Sequence, residues 1–116
     1  MTQHASLSPE RWAGFSRDRQ LLMIANEMNR ATRLTTSDDR NSRTLAYERV
    51  LRLIDLTVQV NHHRPLRREL LRWRDLVAAL YLDRESNERA HREALRCLLQ
   101  MSPAGAAQIP YILDLS

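Results

Sequence analysis

Between Pro65 and Leu82 the apolar residues Leu66, Leu70, Trp73, Val77 and Leu80 recur at intervals of four and three. That interval lays one continuous ridge along a helix. Leu71, Leu76 and Leu82 widen the ridge, which predicts cover from more than one neighbour. The same interval runs through Tyr47, Leu51, Ile54, Val58 and Asn61, with Val50 and Thr57 beside it, and predicts a helix over about 43–62. Upstream, Leu21, Leu22, Ile24, Ala25, Met28, Ala31 and Thr32 form a wide helical face. Downstream, Ala90, Ala94, Cys97, Leu98 and Met101 predict an inward face for a helix over about 87–101.

The residues between these ridges set their limits. Ser8-Pro9-Glu10 reads as a helix start, with a serine cap, a proline in the first turn and an acid near the positive end of the dipole. Residues 1–8 are expected to be a flexible N-terminus. The first helix is expected over about 9–34, with a break near 14–16 where Ser16 caps its main part. Trp12 and Phe15 then fold over one end as a lid. Thr35 to Ser42 is rich in capping residues and predicts the first connection. Asn61-His62-His63-Arg64-Pro65 predicts a tight antiparallel hairpin to a helix over 65–82, with Arg64 pushed out of the helical region by the proline after it. Asp83 to Asn87 predicts a turn rather than one rod to residue 101. Ser102-Pro103 predicts a short helix over 103–108, and Pro110 predicts an extended Ile109. The apolar tail from Tyr111 to Leu115 is expected to pack on its own bundle or on a second copy.

Together these readings predict an all-α single domain over 9–116. Its expected form is an antiparallel, up-and-down four-helix bundle with short helical turns at both ends. The expected core is Leu21, Ile24, Met28, Tyr47, Leu51, Ile54, Val58, Leu66, Leu70, Trp73, Val77, Leu80 and Leu98.

Composition agrees with that class. Of 116 residues 28% are charged and 43% apolar, and only two glycines and four prolines punctuate the chain; a sheet would need turn residues far more often. Cys97 is the single cysteine, so no intramolecular disulfide forms and a reducing cytoplasm is the expected setting. The start MTQHASLSPERW lacks a signal-peptide pattern, and no apolar run is long enough for a membrane span. All 18 basic residues are arginine, and the formal net charge is +4. Codon bias in a GC-rich bacterial genome is the expected source of that choice. Selection for planar, bidentate anion recognition is the sharper alternative.

The strongest functional lead is His62, His63, Arg64, Arg67 and Arg68, which crowd positive charge around a helix start where backbone N–H groups are free. This is a candidate anion-binding site, and without interleaved aromatics any nucleic-acid contact would be to phosphate. Asn26, Asn29 and Asn61 lie on or beside apolar faces and need partners there.

Glu88-x-x-His91 matches the i, i+3 pair of di-iron bundles, but the second pair such a site needs is absent, so no metal or other cofactor is expected. His91 itself reads as a solvated or helix-pairing residue, and Cys97 as a buried structural thiol. Ala90 to Leu95 resembles a histidine-phosphotransfer bundle, which implies an exposed His91 as phosphoryl acceptor; the lysine and glycine-bearing turn of that family are missing. Arg84, six intervening residues and His91 resemble the Arg-x(4–6)-His pattern of the HEPN ribonucleases, which are also small helical bundles. Glu85 stands where that family has a polar amide. The resemblance implies a ribonuclease as the weakest alternative. The leading expectation is a non-enzymatic interaction or oligomerisation module with no catalytic residues, a homodimer through the third helix, the fourth or the tail. An anion- or nucleic-acid-binding module is second.

Overall fold

The structure, a computed structural model, describes residues 7–113. Among them it is all-helical: α1 (Pro9–Ala13), α2 (Arg17–Ala31), a 3-10 turn (Ser37–Asp39), α3 (Arg40–Val60), α4 (Arg64–Leu82), α5 (Glu88–Leu99), α6 (Pro103–Ala106) and α7 (Ile109–Ile112). Residues 1–6 of the expected flexible start, and residues 114–116 of the tail, lie outside the described residues. No helix of the described residues is long and apolar enough to cross a membrane.

Side-chain caps start most of the helices. Ser8, Ser16, Asn87 and Ser102 each accept a backbone N–H three residues on, at 3.2, 3.2, 3.0 and 3.0 Å, satisfying donors that a helix leaves open at its first turn. Two expectations built on proline are corrected. Arg64 and Ile109 each precede a proline, yet both are the first residue of a helix. The proline then occupies the first turn, where its missing N–H costs no bond, and the steric bias against a helical residue before it is outweighed.

α3 is central, packing against α1, α2 and α4, while α5 packs against α2 and α4. Serving three neighbours gives α3 a broad buried arc of Ala46, Tyr47, Val50, Leu53, Ile54, Leu56 and Thr57. Its centre sits one position away from the expected ridge. Leu51 and Val58, expected in the core, are therefore half-buried flanks packed against it. The other expected core residues, Leu21, Ile24, Met28, Tyr47, Ile54, Leu66, Leu70, Trp73, Val77, Leu80 and Leu98, are buried. Leu71, Leu76 and Leu82 do not widen the buried face: they are 48%, 50% and 76% exposed, while α4 packs chiefly against α3 and α5.

Trp12 is fully buried and its Nε1–H donates to Thr57 Oγ1 at 3.0 Å. Gln20 donates to the carbonyls of Trp12 (2.8 Å) and Phe15 (3.1 Å), and Asn61 Nδ2 donates to Gln20 Oε1 at 2.9 Å. This network seats α1 as the lid the sequence predicts. It also gives Asn61 its partner, while Asn26 and Asn29 are exposed. Trp73 ties α4 to α5, its Nε1–H donating to the Ala94 carbonyl at 2.7 Å. Leu113 is buried and its carbonyl accepts from Arg92 at 2.7 Å, so this part of the tail packs on its own chain.

Candidate functional site

His62, His63, Arg64, Arg67 and Arg68 lie where α3 passes into α4. The Asn61–Gln20 bond holds the first turn of α2 at this same end, which adds Arg17 and Arg19. Five arginines thus stand against Asp18 and Glu69. Among the described residues, none of the five has a carboxylate at ion-pair distance. Arginine in a first helical turn also opposes the helix dipole, at about 0.3–1 kcal/mol each.

Within the cluster the roles differ. Nδ1 of His63 accepts the N–H of Leu66 at 3.4 Å, so His63 is the cap of α4. His62, Arg64 and Arg68 are exposed. Arg67 is half-buried, and its Nε is fully buried with no hydrogen-bond partner. A buried donor left open costs about 1–3 kcal/mol, and this one lies within the arginine cluster at the α4 start.

A second polar cluster, absent from the sequence reading, lies at the opposite end. His91 is 4% exposed rather than solvated. Its Nε2 is 3.1 Å from Thr32 Oγ1, and its Nδ1 is 2.7 Å from Tyr47 Oη. The Thr32 hydroxyl donates back to the Met28 carbonyl at 3.4 Å. Threonine therefore accepts from His91 Nε2–H, and Nδ1 accepts from the tyrosine, a tautomer assigned from the network. Burial holds the His91 pKa below its ordinary 6.5 and pushes Tyr47 up to about 12, against a small lowering by the Arg43 charge. Both groups are neutral at pH 7, as this bond pattern requires.

Arg43 sits beside them, 5% exposed. Its Nη1 donates to the carbonyls of Leu34 (2.9 Å) and Thr36 (3.3 Å), and its Nη2 to that of Arg84 (3.3 Å). One guanidinium thereby staples the α2–α3 connection to the α4–α5 connection. In the sequence it is one arginine of 18, and nothing in its spacing separates it from the exposed ones.

The motif residues stand apart from one another. Arg84 is exposed, and no hydrogen bond or ion pair joins its side chain to His91 among the described residues. A phosphoryl acceptor must reach its donor, and His91 has both ring nitrogens engaged inside the molecule. Cys97 is exposed, not buried. The buried arc of α5 is His91, Ala94, Leu95, Leu98 and Leu99, and Cys97 falls on its flank, facing a groove toward α4. Ala90 and Met101 are half-buried flanks too. Comparison with protein-family models, curated proteins and solved structures finds no match to this chain.

Proposed function

We propose that this protein is a non-enzymatic binding module that presents the basic end of its helices to an anionic partner, with nucleic acid as the leading class. One observation carries the reading: five arginines without carboxylate partners among the described residues gather at one end, and a donor of one of them, Arg67 Nε, is buried there and unused. Arginine's planar fork suits phosphate, and an anion at this end would offset the dipole opposition of the α4 start. The neighbour order α2, α3, α4, α5 and back to α2 supports an antiparallel, up-and-down four-helix bundle as the scaffold. The lone thiol supports a reducing, cytoplasmic setting, and the all-arginine basic set a GC-rich bacterial source.

The test is fluorescence anisotropy with labelled duplex DNA and with single-stranded RNA at two salt concentrations. For three phosphate contacts, affinity should fall on the order of 50-fold between about 50 and 200 mM salt. Arg64→Ala/Arg67→Ala/Arg68→Ala should abolish the shift. His63→Asp separates binding from folding: a better cap with a favourable charge should raise stability by about 0.5–1 kcal/mol while weakening binding. Absence of binding to either probe at low salt, or undiminished binding by the triple variant, ends the proposal.

A second reading is self-association through the α4–α5 face. It is supported by half-exposed Leu76, which lies between two grooves of about 460 and 250 Å³ shared with Cys97.

A further inference from the structure

Away from the basic end, α2, α3 and α5 enclose a cavity of about 110 Å³ beneath the α2–α3 and α4–α5 connections, room for a few waters or one small ion. Arg43 forms part of its wall. The protein treats its two most buried charges differently. Glu27, 3% exposed, is met by Arg49 at 2.9 Å and Arg30 at 3.2 Å. Arg43 is buried to a similar degree and has no carboxylate at ion-pair distance among the described residues. Three of its N–H groups go to backbone carbonyls, out of the five that a guanidinium carries. Carbonyl dipoles satisfy its geometry but supply no counter-charge. Asp39, one turn earlier, feels the Arg43 charge only weakly and from beyond ion-pair distance, and a charge removed from water without a close partner is costly.

The rest of the wall supplies what an anion needs. The hydroxyl-bearing Thr35 and Ser86 line the cavity from the two connections, and Arg92 adds a second guanidinium from α5. Glu88, one turn earlier on α5, is the acid in the wall. We propose that this cavity binds a small oxyanion, a carboxylate or phosphate group, with Arg43 as its buried counter-charge. The hydroxyls and Arg92 hold the ligand oxygens, and Glu88 limits the negative charge the site accepts.

Calorimetry and thermal unfolding of the full chain in chloride buffer, titrated separately with sodium phosphate and sodium acetate, test this. One probe or both should bind saturably at one site per chain and raise the melting temperature; phosphate alone identifies a phosphate group, acetate alone a carboxylate. Arg43→Gln also breaks the staple between connections, so the deciding variants are the exposed Glu88 and Arg92. Glu88→Gln should tighten binding and Arg92→Gln weaken it, each roughly two- to fivefold. Arg92→Lys, which keeps the charge, should stay near wild type, separating the effect from the Arg92 bond to Leu113. The Arg64→Ala/Arg67→Ala/Arg68→Ala variant should bind the probe like wild type, so this site and the basic end stand or fall separately. No saturable binding of either probe up to about 10 mM, a shift of Glu88→Gln and Arg92→Gln in the same direction, or loss of binding in the triple variant overturns the proposal.

Discussion

Below neutral pH, His91 holds the fold under strain of a calculable sign. Its folded pKa is pushed below 6.5 by burial, while in the unfolded chain it titrates near that value. Above it both states are neutral and the histidine adds no pH dependence. As pH falls below it, the unfolded chain takes up a proton that the folded chain resists. Stability then declines toward acid, with a limiting slope of about 1.4 kcal/mol per pH unit for one proton. Melting temperatures of wild type and His91→Gln at pH 7.5 and pH 5.5 check this: the wild type should lose more on acidification than the variant. The polarity of His91 offers no hint of burial, because its partners Thr32 and Tyr47 lie 59 and 44 residues away in the chain. Trp73 and Leu70 are the opposite case, since their place on a regular ridge announces their burial.

At the scale of elements, helix starts were legible because serine and asparagine caps act through bonds three residues long. The prolines were less so. A proline after Arg64 or Ile109 biases its neighbour locally, and packing of the helix that follows outweighs the bias. α6 shows a further constraint invisible in sequence. A Cβ at Gly105 would come within 2.5 Å of the Leu99 carbonyl oxygen and 3.1 Å of the Ser102 hydroxyl. α6 therefore closes onto the end of α5 only because residue 105 has no side chain. Gly105→Ala should destabilise the protein by about 1–3 kcal/mol through overpacking, read as a fall in the denaturant midpoint at unchanged slope. Gly14, whose nearest such contact is 3.2 Å, has more room and serves as the contrast.

For the molecule as a whole, the modest net charge of +4 is less informative than its distribution. Arginines with carboxylate partners include Arg30, Arg49, Arg74 and Arg89, and those around the α4 start have none among the described residues. The exposed leucines of α4 are the other surface asymmetry, and they bear on self-association. Light scattering at micromolar concentration should give a dimer mass for wild type and a monomer mass for Leu76→Arg; a monomeric wild type ends that reading. By itself the sequence determined the helical class, the helix starts and most of the α4 face, because propensity, capping and a three-to-four periodicity act over a single turn. Only the tertiary structure decided which side of α3 is central, that Leu71, Leu76 and Leu82 stay in solvent, that His91 turns inward and Cys97 outward, and that one arginine of 18 becomes a buried staple beside a cavity. Those outcomes depend on how many neighbours each helix meets, and that number is set by contacts between residues far apart in the chain.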